Sequence, residues 1–291
     1  MKSEKKIKVY GFKESLPVEI EVVSLSKLYA QHRSIIIAPH RTRFYHIIWF
    51  QKREVTHVVD FKPVKIKADS LLFVGADRVQ AFDPVGVGDG KAIIFTESFF
   101  FASKADLFFL KSTPLFDHLL DGTALRLRSP SCAPIISTFE AIERELQNPI
   151  DSRQQAILKN LLHNLLLLAE REIRNQGLPD AKKGPDLDYT LLFRDVLDKQ
   201  FREVKSVSRY ARQIHVSEKR LNQATSQILG RTPKQLIDDR VMLEAKRLLV
   251  HSERAIKDIA FDLGFSEPTN FIKYFRKHSK LTPTEFREKY L

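Results

Sequence analysis

Between Ile256 and Phe271 the chain reads Ile-Lys-Asp-Ile-Ala-Phe-Asp-Leu-Gly-Phe-Ser-Glu-Pro-Thr-Asn-Phe, and no other stretch leaves so few folds open. Ala260 is small enough to stand where two helices cross. Four residues on, Gly264 supplies the left-handed backbone of a tight turn, and Phe271 returns to a shared core from the next helix. The pattern predicts two short helices at a fixed angle. Such a unit suits the presentation of its second helix to a groove of DNA.

A second copy precedes it. From Ser206 to Leu221, Ala211 repeats the small crossing residue, His215 stands at the turn and Ser217 can cap the following helix with its hydroxyl. The joining segment, Thr232 to Leu249, carries Leu236, Ile237, Val241, Leu243, Ala245, Leu248 and Leu249, enough apolar positions for one helix between two small bundles. Two readers on one rod can enter successive major grooves, roughly 34 Å apart on one face of B-DNA. Charge agrees. Residues 191–291 hold about 21 basic and 13 acidic side chains, so most of the net charge of +12 lies in this third of the chain. Lys219, Arg220, Asn222, Gln223 and Ser226 fall on the outer part of the first reading helix, and Thr269, Asn270 and Lys273 on that of the second. These types pair with base edges, Arg or Lys with guanine and Asn or Gln with adenine. Arg276 and Lys277, one turn further on, are placed to clamp phosphates.

Over about its last 100 residues the chain resembles the AraC family of bacterial transcription regulators. The resemblance rests on Ile259-Ala260, Gly264-Phe265, Phe271 and Phe275, and on Thr282-Pro283-Thr-Glu-Phe286-Arg287. Upstream it rests on Gly230-Arg-Thr-Pro233, Arg240 and Ala245-Lys246-Arg-Leu248-Leu249. It implies double-stranded DNA and RNA polymerase as partners, with bases touched by the amino-terminal half of each reading helix. One departure is Lys280, where the family usually has glycine; a left-handed lysine there carries a modest strain.

Between about Ile20 and Thr96, β-branched and aromatic runs recur at close spacing: Ser34–Ala38, Phe44–Phe50, Val55–Phe61, Leu71–Val74, Val79–Phe82 and Ala92–Phe95. They predict a small antiparallel sandwich or barrel. Pro39 to Phe50 is similar to the first strands of the cupin-like sensor domain that many AraC-type regulators carry. Metal-binding cupins share an H-x-H motif and a later histidine. Here His40 is present, but Thr42 and Gln80 fall at the other positions, so His40 with His46 lacks the converging ligands a divalent ion requires, and no metal or other cofactor is expected. His57 alternates with Val55 and Val59 and reads as structural. For an anionic or aromatic effector at the barrel mouth, the candidates are Arg41, Arg43, Tyr45, Trp49 and Lys62.

Beyond the strands, a helix is predicted from about Asp151 to Asn175. Leu158, Leu161, Leu165 and Leu168 recur at coiled-coil spacing, and Leu162, Leu166, Ala169 and Ile173 form a second stripe beside them. One stripe can cover the barrel while the other meets a second subunit in a homodimer. Gln176 to Asp186, with two glycines and two prolines, reads as a linker. Cys132, the one cysteine, permits no internal disulfide. Met1–Lys8 lacks an apolar leader and no run approaches the ~18 residues of a membrane span, so a cytoplasmic protein without a membrane partner is expected. The expected fold class is α+β: a cupin-like sensor domain over 1–135, dimerisation helices over 136–175, a linker over 176–190 and a DNA-binding domain over 191–291. The reading is a non-enzymatic, effector-responsive transcriptional activator. A ligand-independent dimeric DNA-binding regulator and a cupin enzyme with a DNA-targeting tail are the alternatives.

Overall fold

The computed structural model describes all residues except 1–7, 14–15, 86–88, 102–105, 107–108, 111–112, 117–122, 129, 177–184 and 291. Most of the segment read as a linker, 177–184, lies outside the described residues. The described chain divides into two compact units, one within residues 8–179 and the other within residues 180–291.

In the first unit, the described strands are β1 (Lys8–Tyr10), β2 (Ile20–Ser24), β3 (His40–Thr42), β4 (Tyr45–Phe50), β5 (Val55–Val59), β6 (Lys62–Ile66), β7 (Ser70–Val74), β8 (Val79–Ala81), β9 (Gly90–Phe95) and β10 (Thr123–Arg126). They form two separate five-stranded sheets, ordered β1-β3-β8-β5-β6 and β10-β7-β4-β9-β2, and not the closed barrel expected from sequence. All pairings are antiparallel except β1 with β3.

Every residue of β4 is buried because both faces of its sheet are covered. Ile48 and Phe50 point, with Leu72 and Val74 of β7, into a core shared with Val55, Val59 and Ile66 of the other sheet. Tyr45, Ile47 and Trp49 alternate to the opposite face, into a core shared with Phe99 and Phe100 of the short helix α2 (Glu97–Phe100) and with Phe139, Leu158, Leu162 and Leu166 of the helices α3 (Ala133–Glu145) and α4 (Gln154–Asn175). Each large apolar side chain so buried contributes about 1.5–3 kcal/mol.

Two expectations change here. Ser34–Ala38 is not a strand: Ser34 to Ile36 end the helix α1 (Leu25–Ile36). The spacing of Leu25, Leu28, Tyr29 and Ile36 seats one face of that helix on the inter-sheet core, and this helical period outweighs the β-branched triplet at its end. On α4, both leucine stripes turn inward. Leu158 and Leu165 are fully buried in the unit's own core, while Leu161 and Leu168 are partly buried against it. The apolar side chains that α4 leaves most open are Ile157 and Leu167.

The second unit is helical: α5 (Pro185–Gln200), α6 (Val207–Gln213), α7 (Glu218–Leu229), α8 (Pro233–His251), α9 (Ile256–Asp262), α10 (Pro268–Ser279) and α11 (Pro283–Tyr290). Residues 185–190, read as the end of a linker, are thus already helix. Its two helix pairs repeat one device. Val216 N–H donates to the carbonyl of Ala211 and Phe265 N–H to that of Ala260, each at 3.0 Å. The intervening His215 and Gly264 are left-handed, at φ 58° and 75°. Each reading helix also ends on a left-handed residue, Gly230 at φ 64° and Lys280 at φ 66°, followed two residues later by a Thr-Pro helix start. The Thr232 hydroxyl and the Gln235 side chain close a reciprocal cap on α8.

Candidate nucleic-acid interface

Leu221, Ala224 and Thr225 anchor α7, and Phe271 and Phe275 anchor α10; all five are fully buried. That fixes which face of each helix turns outward. On α7, Lys219, Gln223 and Ser226 are exposed, a stripe at spacings of four and three. Ser217 caps this helix, its hydroxyl accepting from Arg220 N–H at 3.1 Å. Asn222 is half-buried and donates from Nδ2 to the Glu218 carbonyl at 3.0 Å. Arg220 departs from the expected open face. Its guanidinium pairs with Asp186 of α5 and lies 5.1 Å from the centre of the Tyr189 ring.

On α10, Thr269, Asn270, Lys273, Arg276 and Lys277 are all exposed, and no acidic residue interrupts the run from Phe271 to Lys280. Ile272, passed over in the sequence reading, is 36% exposed on this helix between Thr269 and Lys273. The arrangement offers cations for phosphate, amides and hydroxyls for base edges, and one apolar side chain suited to a thymine methyl.

The two helix pairs are joined twice. The rod α8 is the first connection. Tyr274 on α10 donates its hydroxyl to Asp238 of α8 at 2.8 Å; burial, then the neighbouring carboxylate, raises its pKa. The second connection is the segment Phe201–Lys205, which docks on the turn after α9. Arg202 Nη1 reaches both oxygens of Asp262 at 3.1 Å, and its Nη2 reaches Glu244 at 3.3 Å. Lys205 donates to the Leu263 carbonyl at 2.6 Å and to that of Arg202 at 2.9 Å; burial lowers its pKa. Arg240 bonds Asp198 at 2.9 Å and Glu244 at 3.3 Å with its guanidinium over the Phe201 ring. No spacing in the sequence reveals this network, since its partners stand up to 60 residues apart.

The residues expected to hold an effector do not converge in this way. Tyr45 and Trp49 face the helices, stacked on Phe95 and edge-on to Phe139 respectively, and Trp49 donates to Asp69 at 3.1 Å. Arg43 is exposed, Arg41 half-buried, and Lys62 lies exposed on β6. The polar groups between the sheets are others. His57 Nε2 and Gln80 Oε1 are 3.0 Å apart, and Gln80 Nε2 lies 3.1 Å from His46 Nε2. Burial pushes His46 down to about 3 and His57 to about 4, so both rings are neutral near pH 7. His57 Nδ1 is buried without a hydrogen-bond partner among the described residues. His40 bonds the Ala38 carbonyl at 3.0 Å. Among the described residues, no three or more His, Cys, Asp or Glu side chains stand together as a metal site.

Comparison with known proteins bears on the second unit. Residues 210–289 match the family model of a helix-turn-helix domain. Over 110 residues the chain is 30% identical to the bifunctional transcriptional activator/DNA repair enzyme AdaA of Bacillus subtilis, covering 38% of this chain and 52% of that one. Over 128 residues it is 29% identical to the HTH-type transcriptional activator RhaS of Escherichia coli strain SE11, covering 44% of each. The chain thus spans about half the length of the curated relatives it matches. A solved structure of ToxT from Vibrio cholerae is 12% identical with a TM-score of 0.43, over 84% of this chain and 89% of that one. The second unit of this chain carries a helix-turn-helix domain of the kind found in DNA-binding transcription regulators.

Proposed function

We propose that the chain is a sequence-specific DNA-binding transcription regulator that reads duplex DNA with α7 and α10 together. The observation that carries this is the pairing of two buried-anchored helices, each with a polar or cationic outer face, on one doubly connected frame. Selection of duplexes from a random pool, followed by footprinting, tests it. Two protected patches on one face of the duplex, about one helical turn apart, are expected. A uniform footprint on every sequence would refute sequence-specific reading.

AdaA and RhaS are each named as transcriptional activators, which supports activation as the sign of regulation; RNA polymerase as partner and the cytoplasm as the place of action are part of the same proposal. We assign the chain no catalytic step. The first unit is the proposed sensor. Its inter-sheet cluster of His46, Gln80 and His57 is better placed than Arg41, Arg43, Tyr45 and Trp49 to meet a ligand between the sheets. An unpaired buried ring nitrogen costs about 1–3 kcal/mol, which a hydrogen-bonding ligand would recover. A ligand acts on DNA binding only through different affinities for two states of the protein. Self-association, if it uses α4, falls to Ile157, Leu161 and Leu168, because Leu158 and Leu165 are consumed in the core. Thermal shifts of the full chain against a metabolite panel test the sensor, and sedimentation tests the dimer.

A further inference from the structure

We propose that Asp186 and Tyr189 of α5 are positioning residues that present the Arg220 guanidinium to a guanine, so that DNA readout extends outside the matched segment 210–289. This inference rests on the DNA-reading function proposed above. Arg220 is the third residue of α7, three positions after the Ser217 cap, and Asp186 lies in the first turn of α5. The two side chains form an ion pair and are 33% and 19% exposed, the Tyr189 ring lying against the guanidinium. The cation is therefore fixed from two sides yet still reaches solvent.

An arginine side chain carries much rotamer freedom, which ordinary binding must remove. Here much of it is removed in advance. Asp186 takes Nη1 of a five-donor fork, and the remaining donors can address O6 and N7 of a guanine, the bidentate contact that most often specifies a base. Charge points the same way. A lone aspartate beside a reading helix repels the phosphate backbone, whereas paired with Arg220 its charge is offset. The pair then adds little to salt-dependent, sequence-blind attraction. It is built for discrimination more than for adhesion. Lys273 on the other reading helix stands exposed, with no such carboxylate at its side among the described ion pairs.

The test uses the full chain and the duplex it selects from a random pool. Affinities for that duplex and a scrambled one are measured at two salt concentrations for wild type, Asp186→Asn, Asp186→Glu, Tyr189→Leu and Arg220→Ala, with helical circular dichroism as the check on folding. Asp186→Asn is expected to lower the ratio of specific to scrambled affinity about tenfold, at a single guanine position. Its binding to scrambled DNA should rise, with a salt slope steeper by up to about one. Tyr189→Leu should lower the ratio in the same direction. Asp186→Glu should recover part of the ratio, and Asp186→Asn added to Arg220→Ala should leave the ratio where Arg220→Ala put it, raising affinity for both duplexes alike. Tighter binding of Asp186→Asn to both duplexes alike would overturn the proposal and make Asp186 a brake. An unchanged ratio would overturn it too, leaving a tie between helices. If wild type selects no sequence at all, the DNA-reading function itself fails.

Discussion

Alanine at Gly264 should damage the second unit far more than alanine at Gly230, although both glycines are left-handed. At Gly230, with φ 64°, an added Cβ meets nothing within 4 Å, so the cost is the strain of a left-handed alanine, about 1 kcal/mol. At Gly264, with φ 75°, the Cβ would lie 1.8 Å from the Arg202 carbonyl oxygen and 3.0 Å from Lys205 Nζ. The carbonyl must move, and it is itself an acceptor for Lys205. Two lysine hydrogen bonds at about 1 kcal/mol each are then lost in addition to the strain, giving about 3 kcal/mol. Lys280 completes the series in the opposite direction. It occupies, at φ 66°, the place that Gly230 holds in the first copy, so Lys280→Gly should stabilise by about 1 kcal/mol. Urea titration of the full chain separates the units, because the single tryptophan, Trp49, reports on the first, and the second, all-helical among its described elements, supplies the larger share of ellipticity at 222 nm. With a slope of about 1–3 kcal/mol per molar, Gly264→Ala should lower the helical midpoint by about 1–3 M and leave the Trp49 transition in place. A Gly264→Ala midpoint no lower than that of Gly230→Ala would refute the close docking of Arg202 on the turn.

Leu165→Ala should destabilise the first unit by about 2–5 kcal/mol, read from Trp49 fluorescence, whereas Leu167→Ala, 48% exposed, should stay within about 0.5 kcal/mol. A folded monomeric Leu165→Asp would instead favour the leucine seam as a subunit contact. Lys273→Ala should cost about 1–3 kcal/mol on the selected duplex and relax preference at one position, while Lys277→Ala should weaken all sequences and reduce the salt slope by about one. Equal losses of Lys273→Ala on selected and random DNA would remove it from the base readers. The neutral His46 and His57 set a pH window: with folded values near 3 and 4 against about 6.5 unfolded, the unfolded chain binds more protons in acid. Stability of the first unit should be full above about pH 6.5 and fall continuously toward pH 4; a Trp49 midpoint flat between pH 7 and 5 would refute this.

The second unit was legible because its signals are local. A small crossing residue, a left-handed turn residue and a returning phenylalanine lie within 12 positions, and backbone sterics leave little choice of path among them. The same periodicity named Lys219, Gln223, Ser226 and the α10 cations as outward-facing, and so they are. Arg220 escaped because its partners, Asp186 and Tyr189, lie about 30 residues upstream in a segment that two prolines and two glycines marked as loop. In the first unit, alternation identified strands but not which face meets what. Tyr45 and Trp49 read as lining a cavity, yet the opposite register of β4 supplies the inter-sheet face, and only the arrival of α3 and α4 decides it. A leucine repeat is equally silent on whether its partner is the same chain or another.

The double connection within the second unit bears on what kind of site it can read. A single rod ties the two helix pairs at one seam and leaves them free to hinge about it. Arg202 and Lys205 add a second seam, in which Arg202 also reaches Glu244, a carboxylate buried to 3% exposure that holds Arg240 and Arg247 of its own helix. Hinging would have to break the hydrogen bonds of Arg202 to Asp262 and of Lys205 to the Leu263 carbonyl, at about 1 kcal/mol or more each. The separation and rotation of α7 and α10 are therefore set before DNA arrives. One base pair inserted between half-sites turns the second by about 35°, so the duplex, not the protein, must twist or bend to accommodate it. Bending a site of this length costs about 1–6 kcal/mol, depending on sequence. The base pairs between the two half-sites, though touched by neither helix, therefore enter the selection.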